Sequence, residues 1–392
     1  TLMESLHVDK LHAYLLANGK APGQGVRIAV IDEGFHLGSP IFFAMKGRIR
    51  DQRDFVDSTR SAVSDSLLGS HGAQCMSLIG GNTPGTLVGA APEAEFLLYR
   101  AEDASQETYV EEDFVAAAIE RAVDSGAQVI SISLGYRYDY TDGSPDLPFS
   151  DFDGRTRPSS LAALGAARRN VLVSVSTGNE GDKQAAPSLG APADADSILA
   201  VGIQDRFGRR CAYSSGGPTA DGRVKPDIMT LADLDGCKVA VANTSSATPK
   251  LNSFAGTSFA APVMAGIAAL LRQLRPESDA QKLRHALISS ADRYAHPDSG
   301  YGYGLVDAAD AARSLGVPIN PPLARNGQMR IFHSDDGLPI LLEWDPARPV
   351  PELQLIDLSG RRFAVAVSAV GSMLTLDPKR RLRSGIYIAK IP

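Results

Sequence analysis

Three widely separated polar side chains are the candidates for chemistry in this sequence of 392 residues. Ser258 opens a predicted helix, where unpaired backbone N–H groups and the helix dipole stabilise a negatively charged oxygen. His71 opens another predicted helix, and Asp32 ends the β-branched run that begins at residue 26. A serine activated by a histidine that a carboxylate orients is the machinery of nucleophilic acyl transfer.

These three residues need elements that meet at one edge of the fold. Ligand sites of open parallel sheets lie beyond the carboxyl ends of the strands. An aspartate that leaves a strand, and a histidine and a serine that each open a helix, can therefore converge at that edge. The chain order Asp, His, Ser differs from that of the α/β-hydrolases, and Ala260 stands where the nucleophile turn of that fold needs glycine.

The predicted fold class is α/β, a mostly parallel sheet with helices on both faces, plus a small C-terminal all-β module. Buried apolar strands alternate with amphipathic or Ala-rich helices, which is the pattern of such a sheet. Strands are predicted at 26–32, 96–99, 128–134, 170–176 and 197–203. Helices are predicted at 70–81, 111–125, 159–169, from 258 onward, and at 307–315.

Six segments, in order over residues 26–270, resemble those of the subtilisin-like serine peptidases, or subtilases. Three of them carry Asp32, His71 and Ser258. Val-Ser-Val-Ser-Thr-Gly-Asn-Glu-Gly at 173–181 resembles the segment of the oxyanion asparagine, which maps to Asn179. Ile-Ser-Ile-Ser-Leu-Gly at 130–135 resembles the strand that lines the primary specificity pocket. The segments at 213–218 and 221–227 resemble the stretch between that pocket and the nucleophile.

The resemblance implies a serine endopeptidase that hydrolyses extended polypeptides through an acyl-enzyme on Ser258. In this reading His71 is general base and acid, Asp32 orients it, and Asn179 lies in the oxyanion hole. The implied substrate-binding residues are Ser131, Ser133, Leu134, Gly135, Thr177 and Gly178. No cofactor is expected for the chemistry, and a structural calcium ion, common among subtilases, is left open.

Two positions depart from the family pattern. Glu33 follows Asp32 where many subtilases have serine or threonine before glycine. Tyr136 follows Gly135 where a second glycine is common, which puts the shape of the specificity pocket in doubt. Two other function classes also remain open: a pseudoenzyme or peptide-binding module, against which the presence of all four site residues argues, and an esterase or peptide ligase on the same fold.

Two acidic segments each allow two interpretations. The turn-rich insertion at 136–159 carries five aspartates and is interpreted as a solvated loop, with a calcium site as the alternative. The stretch at 102–113 carries six acids, which favour a helix start or select basic side chains in the substrate. The acids of the two segments are Asp139, Asp142, Asp146, Asp151 and Asp153, then Glu102, Asp103, Glu107, Glu111, Glu112 and Asp113.

The composition changes after residue 316. We predict a catalytic domain at 1–316, a Pro-rich linker at 317–327 and a small β-sandwich at 328–392. The motifs at 353–360 and 384–390 loosely resemble C-terminal sorting domains of the type IX secretion system, which would make the secretion machinery a partner. The alternative is an appended module that stabilises the enzyme or binds substrate.

Charge and cysteine content exclude some classes. A net charge of −6 gives no electrostatic footprint for nucleic acid. The uncharged run at 251–271 is Ala- and Gly-rich and is interrupted by Ser, Thr and Pro, so it predicts a buried helix and no transmembrane segment. Cys75 is interpreted as a buried thiol, whereas pairing of Cys211 with Cys237 stays open. The resemblance and the start at Thr1 suggest an exported, processed chain, either secreted or at the cell surface.

Overall fold

A computed structural model describes residues 1–64, 70–184 and 187–319, together with the backbone of six strands between residues 330 and 390. The chain divides into two compact units, Thr1–Ile319 and Asn320–Pro392. The predicted linker at 317–327 lies mostly outside the described residues. The domain boundaries given above therefore stay predictions.

The first unit is built on a sheet of seven strands within its described residues. Its strands are β1 (Arg27–Asp32), β2 (Ile49–Asp54), β5 (Glu95–Arg100), β6 (Val129–Ile132), β7 (Leu172–Ser176), β8 (Leu199–Asp205) and β9 (Ile228–Ala232). They lie in the order β2-β5-β1-β6-β7-β8-β9, and every neighbouring pair is parallel. Two small antiparallel pairs are the other strands among the described residues of this unit: β3 (Asn82–Thr83) with β4 (Leu87–Val88), and β10 (Lys238–Ala242) with β11 (Leu251–Ala255).

Helices cover both faces of the sheet. The helices are α1 (Leu2–Ser5), α2 (Val8–Ala17), α3 (Phe43–Lys46), α4 (Ser70–Gly80), α5 (Val110–Asp124), α6 (Pro158–Arg168), α7 (Ala260–Leu274), α8 (Ala280–Ser289) and α9 (Ala308–Ser314). Successive side chains of β1 point to opposite faces, so Ile28 and Val30 join the core under α4 and α7, whereas Ala29 and Ile31 join the core under α5 and α6. The predicted α/β fold is confirmed.

Helix α7 packs against β6, β7 and α4 and is buried along its first thirteen residues. Together with the preceding 3₁₀ turn Thr257–Phe259 it forms the stretch Thr257–Leu274, which is long and apolar enough to cross a membrane but is 89% buried inside the protein. Its Ala and Gly residues allow this close packing. The prediction of a buried core helix agrees with that position.

One disulfide links two loops of the first unit, and the third cysteine is free. Cys211 and Cys237, whose pairing the sequence left open, form a disulfide with their Cα atoms 5.8 Å apart. Cys75 is a free, buried thiol, as predicted.

The six strands described in the second unit are β12 (Arg330–Ser334), β13 (Ile340–Glu343), β14 (Gln354–Asp357), β15 (Arg362–Val370), β16 (Met373–Pro378) and β17 (Gly385–Lys390). They form one antiparallel sheet in the order β12-β17-β14-β15-β16-β13.

Candidate active site

The carboxyl end of the central strand β1 places Asp32 against His71. Asp32 is completely buried, and its Oδ1 accepts the backbone N–H of Glu33 at 2.9 Å and faces His71 Nδ1 at 2.6 Å. His71 is the second residue of α4, so its ring leaves the start of a helix that packs on β1. The sequence predicted this pair, and the geometry orients the imidazole with Nδ1 toward the carboxylate and Nε2 away from it.

The closeness of α4 to the turn after β1 depends on Gly72. A Cβ at residue 72 would collide with the carbonyl oxygen of Gly34 and would lie 2.8 Å from the Cβ of Asp32. Real side chains essentially never approach backbone so closely, so glycine is the residue that allows the helix to lie here.

The Asp32 carboxylate also sets the protonation of His71. Burial disfavours the imidazolium form, but the charge and hydrogen bond of Asp32, together with the neighbouring Cys75, outweigh burial and raise the pKa of His71 well above its usual value. A proton accepted on Nε2 is therefore stabilised by a carboxylate already in place.

Ser258 lies in the 3₁₀ turn that leads into α7. The turn begins at Gly256, whose φ of +150° is rare for residues with side chains. The backbone carbonyl of Ser258 accepts a hydrogen bond from Ser133 Oγ at 2.8 Å and one from Cys75 Sγ at 3.4 Å. Its own hydroxyl donates to the backbone carbonyl of Ser133 at 3.3 Å.

Two neighbours place Ser258 beside His71. The sulfur of Cys75, which donates to the carbonyl of Ser258, lies 3.9 Å from Nδ1 and 4.0 Å from Nε2 of His71. The ring of Phe259, the next residue after Ser258, has its centroid 5.8 Å from that of the imidazole. The structure thus brings Asp32, His71 and Ser258 to the same edge of the sheet.

Asn179 follows strand β7, and its side chain is held by the turn of Ser258. Its Oδ1 accepts hydrogen bonds from the backbone N–H of Thr257 at 2.8 Å and from Thr257 Oγ1 at 3.1 Å. Because the amide oxygen faces these donors, the Nδ2 hydrogens are directed elsewhere. The amide is thereby fixed beside the residue that precedes the serine.

The predicted substrate-binding residues occupy two neighbouring segments. Ser131 lies within β6, and Ser133, Leu134 and Gly135 follow it, with Gly135 exposed. Thr177 and Gly178 follow β7, and the N–H of Gly178 donates to Thr257 Oγ1 at 3.2 Å. Both segments therefore border the turn of Ser258, and the side chain of Ser133 contacts the serine itself.

Sequence reasoning noted Glu33 as a departure but missed its contact. Glu33 Oε1 accepts the backbone N–H of His71 at 3.0 Å, so this carboxylate caps the start of α4. The signal was an acid next to the site aspartate in a loop that faces a helix start. Cys75 was interpreted as a buried thiol, but its bond to the Ser258 carbonyl was not predicted.

Over the described ranges 1–64, 70–184 and 187–319, Asp32, His71 and Cys75 form the one group of three His, Cys, Asp or Glu side chains whose ligand atoms lie within 4.8 Å of one another. In the 136–159 insertion the aspartates bond to their own loop: Asp142 Oδ1 accepts Ser144 N–H at 2.9 Å, and Asp153 Oδ1 accepts Arg155 N–H at 2.8 Å. These bonds fit the solvated loop that was favoured.

The site has the arrangement of a serine hydrolase. A buried carboxylate is bonded to an imidazole, and both lie beside a serine that opens a helix at the carboxyl edge of a parallel sheet. Comparison with known proteins narrows this class. The profile of the Subtilase family matches residues 23–304. The chain therefore belongs to the subtilase family and is a subtilisin-like serine endopeptidase.

Individual relatives share about a quarter of the sequence. Serine protease AprX of Bacillus subtilis (strain 168) is 26% identical over 336 residues, which cover 79% of this chain and 71% of AprX. Subtilisin Savinase of Lederbergia lenta is 28% identical over 306 residues, which cover 78% of this chain and 97% of Savinase. The crystal structure of MycP1 with its propeptide removed matches with a TM-score of 0.60 and 23% identity, over 79% of this chain and 96% of MycP1, a likeness of fold.

Proposed function

We propose that the chain cleaves peptide bonds through an acyl-enzyme on Ser258. The hydroxyl oxygen attacks the scissile carbonyl while His71 Nε2 takes its proton, and the imidazolium then protonates the leaving amine. A water molecule then attacks the acyl-enzyme with His71 again as general base, and the carboxylic acid product leaves. Asp32 holds the imidazole in the required tautomer and stabilises its charged form. The 2.6 Å contact between Asp32 Oδ1 and His71 Nδ1 is the observation that carries this proposal.

The hydroxyl of Ser258 has to change partner for this step. It donates to the Ser133 carbonyl at 3.3 Å, and rotation about its Cα–Cβ bond redirects it toward the imidazole. The backbone stays fixed during this rotation because Ser133 and Cys75 both bond to the Ser258 carbonyl. We expect substrate binding to favour the rotated form, since catalytic hydrogen bonds often tighten only in the complex.

We propose that the oxyanion is held by Asn179 Nδ2 and by the backbone N–H of Ser258. Thr257 fixes the amide oxygen, so the nitrogen is presented without a loss of side-chain freedom during the reaction. The substrate lies extended along Ser131, Ser133, Leu134 and Gly135 on one side. Thr177 and Gly178 form the opposite wall.

Replacement of Ser258 by alanine tests the mechanism. We expect Ser258→Ala to lower kcat by about a million-fold, the size of the loss measured in subtilisin, because the nucleophile is removed. The same change should abolish labelling by a fluorophosphonate, which reacts with activated serines. Ser253→Ala, an exposed serine of strand β11, is the matched control and should keep both signals. Labelling that survives in Ser258→Ala and disappears in Ser253→Ala would contradict the assignment.

The remaining proposals concern the whole chain. We propose that residues 1–316 form the catalytic domain, that 317–327 link it to 328–392, and that the last segment directs export by a type IX secretion system. We further propose a secreted or cell-surface enzyme processed from a zymogen. The Cys211–Cys237 disulfide supports an oxidising compartment. The chemistry proposed for the triad uses no metal, so a bound calcium ion would act on stability alone.

Fusion of residues 328–392 to a reporter protein tests the sorting proposal. In a cell with an active type IX system we expect the fusion to appear outside the cell, whereas the reporter alone stays behind. A fusion that stays inside would favour the alternative, a module that stabilises the enzyme or binds its substrate.

A further inference from the structure

The acids that follow strand β5 divide into two groups. Glu111 is fully buried, and its two carboxylate oxygens accept the backbone N–H groups of Asp103 at 2.9 Å and Thr108 at 2.8 Å. Glu112 is fully buried as well, and accepts hydrogen bonds from Arg157 Nε at 2.9 Å and Ser159 Oγ at 2.8 Å. Both side chains are satisfied within the protein, so their role is structural.

Glu102 and Glu107 lack such compensation. Burial and the neighbouring charge of Glu107 raise the pKa of Glu102 to about 8, and burial and the charge of Glu111 raise the pKa of Glu107 to about 8. The Oε1 atom of Glu107 is buried and has no hydrogen-bond partner among the described residues. An unpaired buried carboxylate is unfavourable, so its persistence calls for a reason.

A second segment, 136–141, faces these acids. It is joined to them where Thr141 N–H donates to the Glu107 carbonyl at 2.9 Å and Glu107 N–H donates to Thr141 Oγ1 at 2.9 Å. Two buried tyrosines on this segment, Tyr136 and Tyr140, carry hydroxyl groups for which the described part of the chain offers no partner. The phenol of Tyr136 is within electrostatic range of Glu102 and Glu107, and that of Tyr140 is within range of Glu107.

We name Glu102, Glu107, Tyr136 and Tyr140 the acid–tyrosine cluster. Two carboxyl groups and two phenol oxygens, each with unused hydrogen-bonding capacity, lie on two segments that are bonded to each other, and Glu102, Glu107 and Tyr136 are within electrostatic range of one another. Such a set attracts a positively charged ligand that brings several N–H donors. The cluster holds only two carboxyl groups, and neither belongs to a described group of three His, Cys, Asp or Glu side chains with ligand atoms within 4.8 Å of one another. Calcium takes six to eight oxygen ligands, so an organic cation suits the cluster better than this metal ion.

The cluster lies next to the proposed catalytic residues. Ala101, which precedes Glu102, donates its backbone N–H to the carbonyl of Asp32 at 2.9 Å, and the Glu102 carboxylate is within electrostatic range of both Asp32 and His71. On the other segment, Tyr136 follows Ser133 by three residues, and Ser133 contacts Ser258. An extended peptide rises about 3.3 Å per residue, so a substrate side chain a few positions from the scissile bond reaches the cluster.

We propose that the acid–tyrosine cluster binds an arginine or lysine side chain of the substrate and makes this endopeptidase selective for a basic residue near the cleaved bond. The inference rests on the proposed function, since it assigns a substrate class to that same site. At neutral pH the two glutamates release their protons as the cation enters, their carboxylates then neutralise it, and the two phenol oxygens accept its remaining N–H groups. A guanidinium fits this geometry better than an ammonium because its donors spread in a plane.

A peptide library cleaved by the full chain tests the inference directly. The library varies every residue flanking the cleaved bond among arginine, lysine, glutamine and leucine. We expect one position at which the arginine peptide exceeds the glutamine peptide by about tenfold in kcat/KM. Cleavage without preference for arginine or lysine at any position overturns the inference but leaves the proposed function intact. An absence of cleavage that persists for every peptide, with no fluorophosphonate labelling, overturns both.

Variants locate the preference in the cluster. Glu102→Gln and Glu107→Gln should each lower the arginine-to-glutamine ratio of kcat/KM by about fivefold, because each variant lacks one of the two carboxylates that pair with the bound cation. Asp113→Asn, an exposed acid of the same stretch, is the matched control and should leave the ratio unchanged. A ratio that falls equally in all three variants, or in none of them, assigns the preference to the general field of the protein and overturns the site.

Calcium titration separates the two kinds of cation. Calorimetry with CaCl₂ on the wild type and on Glu107→Gln should give identical traces. Calcium binding that is present in the wild type and absent from Glu107→Gln would make the cluster a metal site and overturn the proposal.

Discussion

Two groups of buried ionisable side chains in this chain differ in how far neighbouring groups compensate their charge. Lys225 and Asp227 are almost completely buried, with Lys225 Nζ 2.6 Å from Asp227 Oδ2, while Arg284 Nη2 lies 2.5 Å from Asp227 Oδ1. The backbone N–H of Ala200 donates to the same carboxylate. Burial disfavours this anion, but its cationic neighbours outweigh burial and hold the pKa of Asp227 below its usual value. In the acid–tyrosine cluster, by contrast, burial prevails and the pKa values of the glutamates rise.

The difference distinguishes a buried carboxylate that pairs within the protein and stabilises the fold from one that we propose pairs with a ligand. A buried carboxylate with three donors is a structural element, and its loss leaves partners stranded. A buried carboxylate without donors lowers stability in the free protein and gains its partner when a ligand arrives. Asp32 lies between these cases, because Oδ1 is bonded to His71 whereas Oδ2 has no partner in the described residues.

Among these buried charges, the largest effect is expected at Asp32, the intermediate case. Asp32→Asn keeps the size of the side chain but favours the wrong imidazole tautomer, and should lower kcat by about 10⁴-fold. Because Oδ2 is unpartnered in the described residues, we expect the Tm to change little. Peptide hydrolysis and calorimetry on the same sample check both parts. A large fall in Tm with modest loss of kcat would place Asp32 with the structural group.

Removal of a cation from the buried Lys225–Asp227 pair should lower stability without affecting catalysis. Lys225→Met leaves the buried Asp227 with fewer cations, and should lower the free energy of unfolding by about 3 kcal/mol. Lys183→Met is the matched control, because Lys183 is 60% exposed and its pair with Glu180 should contribute less than about 1 kcal/mol. Urea unfolding followed by circular dichroism gives both values. Equal losses of unfolding free energy in the two variants would show that the buried pair contributes no more than the exposed one.

The smallest effect is a gain of stability from Glu102→Gln. The folded protein holds the Glu102 proton up to about pH 8 and the unfolded chain only to its usual pKa of 4.5, so stability falls as pH rises through this window. Glutamine removes that dependence. The groups that face Glu102 are Glu107, Asp32 and Glu111, which raise its pKa, and His71, which opposes them.

Melting curves check this gain. We expect Glu102→Gln to raise the Tm by about 2 °C near pH 9 and to leave it unchanged near pH 4, after allowance for partial exposure of the side chain. Asp113→Asn should shift the Tm at neither pH. A variant that is less stable than the wild type at the higher pH would show that Glu102 already has a partner in the fold.

Local patterns predicted most of the scaffold. The helix predicted at 70–81 is Ser70–Gly80, because a polar start and a glycine pair mark its two ends. The strand predicted at 128–134 stops at Ile132 instead, since Ser133 leaves the sheet to contact Ser258 and Tyr136 pairs with Ala191. Such ends depend on contacts between distant parts of the chain, which periodicity does not encode.

The site was predictable to the same degree. Asp32 and His71 meet because each ends or begins a regular element whose position the pattern gives. The acids at 102–113 look alike in sequence, yet Glu111 meets backbone N–H groups and Glu107 does not. Which carboxylate finds a donor depends on loop conformation, and the sequence alone did not distinguish among the six acids of the stretch.

The absent side chain at Gly72 has a consequence for how this enzyme can change. A methyl group there would act as a wedge between the start of α4 and the turn that bears the aspartate. The contact lies at the carboxyl end of β1, so the rest of this strand keeps its pairing with β5 and β6. Mutational drift at one small residue could thus yield a well-folded protein that has lost its reactivity, an easy route from peptidase to inert binder.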